Sequence, residues 1–184
     1  PRNTSCNRHE HLYFQNANRF HLLRVYRQPI LQGLEYLFRL DDESKIPKPL
    51  TFDIFDFMDK YNISYGYRGI EFENRECTEG LWDASRYYIA QKNIAPEFFA
   101  QWPPRRTFFT NFEIAKTSLW LSKDYAALAD YFDHLGGIYY HRWNDGAMKT
   151  IAVSLFVAKS QVHHFGNVPY QYRRFSPDVH SGFE

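Results

Sequence analysis

The sequence predicts a mixed α/β layer fold in a single domain. Three observations carry this. Short apolar or aromatic runs of strand character alternate with longer runs whose apolar residues recur at helical spacing. The chain has 184 residues, enough to bury a sizeable core. Apolar residues make up 44% of it, and no internal repeat or low-complexity block interrupts the pattern.

The elements come in this order. Residues 1–11 are polar and unpatterned and read as loop. Asn16 to Gln28 sets Phe20, Leu22, Leu23, Val25 and Tyr26 against Arg and His. That spacing predicts a helix with one buried face, bent or ended at Pro29. Tyr36 to Leu40, with Gly33 before it and acids after it, predicts a strand buried on both faces. Lys45 to Leu50 carries Pro47 and Pro49 and predicts an extended loop. Phe52 to Tyr61 predicts a short helix, and Ile63 to Ile70 a strand with Tyr65 and Tyr67 on one face. Thr78 is the expected N-cap of a helix over Glu79 to Gln91. A short helix is expected after Pro96, through Phe98 and Phe99, then an irregular basic loop at Arg105-Arg106. Thr107 to Ile114 predicts another strand. Ser118 to Leu135 predicts one long helix stopped at Gly136-Gly137. Ile138 to Tyr140 reads as a brief strand, Asp145 to Phe156 as a helix, and Gln161 to Phe165 as a last strand. Neighbours on a strand face opposite sides, so only one of His163 and His164 can face a cleft. From Gly166 the chain is polar and reads as loop.

Composition narrows the function. Basic and acidic residues number 22 and 21, for a net charge of +1. That balance leaves no electrostatic footprint for nucleic acid or an anionic membrane. Aromatic residues make up 19%, with 14 Tyr and 17 Phe. Most read as core, but sugar-binding clefts use rings with an apolar face and a polar tip. No apolar run is long enough to span a membrane, and no signal-peptide pattern is visible. The chain begins at Pro1 rather than Met, so a fragment or a processed product is the expectation. Cys6 and Cys77 fit no metal-spacing motif, and one disulfide between them is open. Asn3-Thr4-Ser5 and Asn62-Ile63-Ser64 match the N-glycosylation acceptor pattern and permit a secretory setting without establishing it.

Two stretches carry chemistry. Asp41-Asp42-Glu43 comes directly after the strand ending at Leu40. In open α/β sheets ligands sit beyond the carboxyl ends of strands. Three carboxylates there repel one another unless they share a cation, and Mg²⁺ or Mn²⁺ with a nucleotide's phosphates fits. A solvated acidic turn fits as well. The second stretch surrounds Asn111 and Glu113 with Phe108, Phe109 and Phe112. An unpaired carboxylate is costly to bury, so Glu113 is either exposed at a strand end or partnered and functional. Asp145 is either a helix cap or faces a site.

Several stretches together resemble one family, the fungal-type α-1,2-mannosyltransferases of glycosyltransferase family 15. Leu37-Phe38-Arg39-Leu40-Asp41 is similar to the family's Trp-Arg-Val-Glu-Pro segment, and Phe52-Asp53-Ile54-Phe55 to its Tyr-Asp-Val-Phe. Leu81-Trp82 matches a Leu-Trp pair, and Asn111-Phe112-Glu113-Ile114 is identical to Asn-Phe-Glu-Ile. The ten residues from Gly136 to Asp145 are similar to Gly-Gly-Phe-Phe-Tyr-Glu-Arg-Trp-Gly-Asp. Ile151-Ala152 and Val162-His163-His164-Phe165 continue in register, and Asn18-Arg19-Phe20 resembles Cys-Arg-Tyr. The resemblance runs from about Phe14 to Tyr172.

The resemblance implies a GT-A-like nucleotide-sugar transferase fold, a mixed sheet flanked by helices, here lacking the first part of the domain. The reaction it implies is retaining transfer of mannose from GDP-mannose to a mannosylated glycoprotein or oligosaccharide, with Mn²⁺. The implied setting is the Golgi lumen, as a type II membrane protein. By the same resemblance Glu113 takes the nucleophile's place and Asp145 that of an acid near the acceptor. Arg19, Arg39, Asp41 and Asn111 fall at the donor. Asp41, Asp42 and Glu43 are expected at the metal. The family's metal-binding His falls on Tyr172 by gapless counting, which leaves His163 or His164 to stand in, with His164 the choice here. Gly-Asp-Ala-Pro becomes Asn144-Asp145-Gly146-Ala147, so the acceptor pocket is expected to differ. Rival readings are a transferase with another nucleotide sugar, a non-catalytic glycan-binding or scaffolding relative, and a metal phosphohydrolase. The last lacks a second metal cluster.

Overall fold

The computed structural model describes Cys6 and residues 12–173. Among these residues the strands are β1 (Tyr36–Leu40), β2 (Ser44–Lys45), β3 (Tyr65–Tyr67), β4 (Ile70–Phe72), β5 (Arg106–Phe108), β6 (Phe112–Lys116), β7 (Val162–His164) and β8 (Gln171–Tyr172). The α-helices are α1 (Leu12–Leu23), α2 (Ile54–Lys60), α3 (Leu81–Lys92), α4 (Thr117–Leu121), α5 (Lys123–Leu135), α6 (Gly137–Tyr140) and α7 (Asp145–Phe156).

The central sheet is mixed and runs β1-β6-β3-β7. β6 is antiparallel to both neighbours, while β3 and β7 are parallel. Strand alternation sorts the side chains into two cores. On one face Leu37, Tyr65, Tyr67 and Ala115 pack with Ala147, Met148, Ile151 and Leu155 of α7. On the other, Phe38, Phe112 and Ile114 pack with Met58 of α2, Phe165 and Tyr170. Glycine is required at Gly66, where an added Cβ would press into Phe165 and Ile114. A hydrogen bond from the Phe108 N–H to the Thr150 hydroxyl, 2.8 Å, ties β5 to α7. A Cys6–Cys77 disulfide closes 71 residues of chain, with Cα atoms 5.5 Å apart.

The architecture is the one expected; several elements are not. β1 lies at an edge of the sheet and is half-buried, not buried on both faces, because within the described chain it pairs with β6 alone. The run Ile63 to Ile70 breaks at Arg68-Gly69 into β3 and β4, which join different sheets. Thr107 to Ile114 breaks likewise: β5 pairs with β4, β6 returns to the central sheet, and residues 109–111 turn between them. The helix expected over Asn16 to Gln28 starts earlier, at Leu12, and ends at Leu23, before short 3-10 turns. Ser118 to Leu135 splits at Ser122, whose hydroxyl accepts from the Tyr125 N–H at 3.1 Å and caps α5.

Thr78 is no cap. Its hydroxyl donates back to the Asn74 carbonyl at 3.2 Å, and α3 begins after Gly80 at φ +75°. Ile138 to Tyr140 is helical, not a strand, because Gly136 turns left-handed at φ +67° and the carbonyls of Gly136 and Gly137 accept from the N–H groups of Tyr140 and His141. Pro96 opens no α-helix, and that stretch holds only a 3-10 turn at Phe99–Gln101. The expected loops at Lys45 and Gln171 pair with each other as β2 and β8. Residues 1–5 and 7–11, including the first glycosylation triplet, lie outside the described residues, as does everything from Arg174.

Candidate active site

β1, β6 and β3 bring three side chains to the same end of the sheet. Arg39 of β1 is in register with Glu113 of β6, and Glu113 with Tyr67 of β3. All three point to the α7 face. Immediately beyond lies a cleft of about 870 Å³, lined among others by Asn18, His21, Asp41, Asp42, Glu71 and Asp145. Tyr13, Phe14, Phe109 and Tyr172 supply aromatic walls of the kind that pack on sugar rings.

An alternating chain of charges runs from the cleft into the core. Arg39 Nε donates to Asp41 Oδ1 at 3.1 Å, and Arg39 Nη1 donates to Asp145 Oδ2 at 2.6 Å. Lys149 Nζ lies 3.4 Å from the same Asp145 oxygen and donates to Glu113 Oε2 at 2.8 Å. Lys149 is 0% exposed and Glu113 2%. Two buried charges survive in an apolar core only because each has an opposite neighbour. The Lys149 ammonium also lies 5.2 Å from the Tyr26 ring and 5.4 Å from the Trp120 ring, which adds cation–π attraction. Glu113 Oε1 is buried and has no hydrogen-bond partner among the described residues.

Local structure explains the positions. Asn144 caps α7, its side chain accepting from the Ala147 N–H at 2.7 Å. Asp145 is therefore the first residue of the helix rather than its cap, and its carboxylate is free to face the cleft. The Asp145 N–H donates to Asn18 of α1 at 3.0 Å. One turn along α7, at i+4, Lys149 lies on the same helix face. Burial would raise the Asp145 pKa, but Arg39 and Lys149 outweigh it and bring it down to about 2. Burial, with Arg39 beside it, lowers His21 to about 4, so its imidazole is neutral near pH 7. Burial raises Glu71 to about 7, helped by Glu73 and Asp145.

The expected site residues divide. Arg39, Asp41, Asp42, Asn111 and Asp145 all line the cleft. The Asn111 carbonyl pins the acidic turn, accepting from the Asp41 N–H at 3.2 Å and the Ser44 hydroxyl at 3.2 Å. Glu113 sits beneath the cleft and reaches it through Lys149 and Asp145. Three other expected positions do not line it. Arg19 is committed to Asp133 of α5 by two hydrogen bonds of 2.6 and 2.7 Å. Glu43 is drawn to Arg173 at 2.6 Å. His164 stacks on Tyr67 and bonds the Arg68 carbonyl at 3.1 Å, while His163 packs against Phe57 and Phe165. Lys149, His21 and Glu71 are cleft or subcleft residues that pattern reasoning missed. For Lys149 a signal existed: a lone cation in an apolar helix, four residues after Asp145.

Among the described residues no three His, Cys, Asp or Glu side chains gather as a ready-made metal site. Asp41 and Asp42 at the cleft still fit a divalent ion that arrives with a nucleotide, which needs one or two protein carboxylates beside the phosphate oxygens.

The family described as Glycolipid 2-alpha-mannosyltransferase matches residues 3–178. The chain belongs to that family. It is 31% identical over 167 residues to the O-glycoside alpha-1,2-mannosyltransferase omh1 of Schizosaccharomyces pombe, covering 85% of this chain and 43% of that protein. The mannosyltransferase Ktr4p of S. cerevisiae superposes with a TM-score of 0.85 at 25% identity, over 92% of this chain and 49% of that one. The Mn/GDP form of Core-mannan synthase A from Aspergillus fumigatus superposes with a TM-score of 0.82 at 21% identity, over 93% of this chain and 54% of that one. The chain thus spans about half the length of the relatives it matches. The family's α/β transferase fold is the one the sequence resemblance implied.

The charge chain can be tested in two ways. Lys149→Met leaves Glu113 buried without its cation and should cost about 3–5 kcal/mol. Adding Glu113→Gln should recover part of that loss in a denaturant titration; a Lys149→Met midpoint equal to wild type would contradict the pairing. The Asp145 pKa is depressed, so its stabilisation is complete above the unfolded value near 3.8 and is lost as pH falls through about 2. Stability should therefore drop by about 2 kcal/mol between roughly pH 4 and 2, and Asp145→Asn should remove that drop.

Proposed function

We propose that the chain carries mannosyl transfer, moving mannose from GDP-mannose to a hydroxyl of a mannoside acceptor with retention at the anomeric carbon. The observation that supports it is the charge chain linking the cleft carboxylate Asp41, through Arg39, Asp145 and Lys149, to the buried Glu113. Membership of the mannosyltransferase family supports the sugar. Ktr4p has been crystallised with GDP, and Core-mannan synthase A in a Mn/GDP form, which supports the nucleotide and the ion.

In this reading Asp41 and Asp42 are the residues that would hold Mn²⁺. Held there, Mn²⁺ would supply Lewis-acid chemistry that offsets negative charge on GDP as it departs. Arg39 keeps Asp41 and Asp145 oriented between lip and floor. Asp145, ionised at any pH above about 2, orients acceptor hydroxyls. Glu113 places negative charge beneath the hexose, where positive charge grows at the anomeric carbon. Lys149 holds that carboxylate in one position. Aromatic walls pack on the sugars and exclude water. We place the protein in the Golgi lumen; the Cys6–Cys77 disulfide and the exposed Asn62 of the second glycosylation triplet support an oxidising, secretory compartment. No described helix is long and apolar enough to cross a membrane.

One observation favours a second reading, a glycan-binding relative without turnover: Glu113 is sealed at 2% exposure and already paired. Incubation with Mn²⁺, several nucleotide sugars and a mannoside separates the two. Transfer from GDP-mannose is expected, with Asp41→Ala losing Mn²⁺-dependent GDP binding. Glu113→Gln should keep GDP binding and lose turnover on the order of 100-fold or more. Mannoside binding with no transfer from any donor would favour the second reading and defeat the first.

A further inference from the structure

β4 delivers to the cleft one carboxyl that has no part in metal, donor or acceptor binding as assigned to Asp41, Asp42, Glu113 and Asp145. Ile70 packs against the larger core, so strand alternation turns Glu71 the other way, into the cleft. Glu71 is half-buried there; its backbone pairs with Thr107 of β5, but its carboxylate forms no hydrogen bond or ion pair among the described residues. Its charged neighbours are committed. Glu73 accepts from the Asn144 side-chain amide. Asp145 is clamped by Arg39 and Lys149. Arg142 directs Nη1 at Cys77 Sγ, 3.5 Å away.

We propose that Glu71 is the base that takes the proton from the acceptor hydroxyl. The proposal rests on the mannosyl-transfer reading and deepens it. In the step, the acceptor O–H proton passes to the Glu71 carboxylate as the acceptor oxygen bonds to the anomeric carbon. The bond from that carbon to the leaving oxygen breaks, and the electron pair stays on that oxygen: of GDP in a direct same-face exchange, or of Glu113 where a covalent intermediate has formed. Glu71 later returns its proton to water.

The surroundings suit the task. A base works best with a pKa near the working pH, and Glu71 lies at about 7 through burial and the fields of Glu73 and Asp145, with Arg142 pulling the other way. Of the other elements at this cleft, α1 contributes the neutral His21, β1 contributes the paired Arg39 and Asp41, and the strand partner of Glu71 is the uncharged Thr107. Nothing cationic forms a salt bridge with Glu71 among the described residues.

The test uses GDP-mannose and Mn²⁺ with two acceptors, methyl α-mannoside and azide, from pH 5.5 to 8.5. Azide attacks without losing a proton and needs no base. Wild-type transfer to the mannoside should rise about tenfold per pH unit below roughly pH 7 and then level off. Glu71→Gln should lose that rise and about 100-fold or more of the mannoside rate at pH 8, while GDP binding holds and azide transfer falls far less. A Glu71→Gln protein that keeps the rate and its pH dependence overturns the inference alone. Equal losses with azide and mannoside also overturn it, because they mark a structural role. A wild-type chain that transfers to neither acceptor overturns the mannosyl-transfer reading and this inference with it.

Discussion

Asp145 is held between two cations, Arg39 at 2.6 Å and Lys149 at 3.4 Å, and the rest of the site depends on that clamp. Arg39 belongs to β1 and Lys149 to α7, while the Lys149 ammonium also grips Glu113 of β6. One carboxylate therefore fixes an edge strand, the helix packed across the sheet and, through the lysine, the strand between. Burying these charges costs several kcal/mol each, and they offset it only as an alternating set. Removing any inner member leaves a charge of one sign in a dry core. The arrangement gives little net stability, and its value is position: carboxylates at the cleft and a carboxylate beneath it are kept in a fixed relation.

The same clamp explains why the cleft lies at this end of the sheet. β1 ends in Asp41 and Asp42, and the Asn111 carbonyl, just before β6, pins that turn. The cap at Asn144 leaves Asp145 turned to the cleft rather than absorbed by its own helix. In the proposed reaction the phosphates of a nucleotide sugar would meet the acids at the strand ends and its hexose would lie over the floor. Pairing of β1 on one side only leaves the strand half-buried, which lets polar groups such as Arg39 reach solvent.

Much of this was legible in the chain. The bounds of β1, the glycine stop at Gly136 and the isolation of Glu113 among phenylalanines all come from local pattern. The family motif pointed to Asp41, Asn111 and Asp145, and all three line one cleft. Breaks within long apolar runs were not legible, because Phe109 and Thr110 look as strand-like as their neighbours, a lone Asn111 is a weak turn signal, and only pairing with β4 or β1 decides where each strand ends. Ile138 to Tyr140 has strand composition, but two glycines before it fold the backbone into a helical turn. Arg19 carries the family's motif position, yet Asp133, 114 residues away, claims it. Lys149 was legible as a lone cation in an otherwise apolar helix, but its partner was not, because Glu113 is 36 residues away; the two buried charges each account for the other.

A rival site for the proposed nucleotide exists on the same molecule. A second cavity of about 730 Å³ is lined by Arg75, Arg86 and Arg105 together with Glu76 and Glu79, and basic side chains attract phosphate. A crystal structure of the protein soaked with Mn²⁺ and GDP decides between them. The expected result is an anomalous manganese peak within coordination distance, about 2 Å, of Asp41 or Asp42 carboxylate oxygens, with the diphosphate in the Arg39–Asp145 cleft. Manganese and diphosphate seated instead among Arg75, Arg86 and Arg105, with the acidic turn unligated, would contradict it.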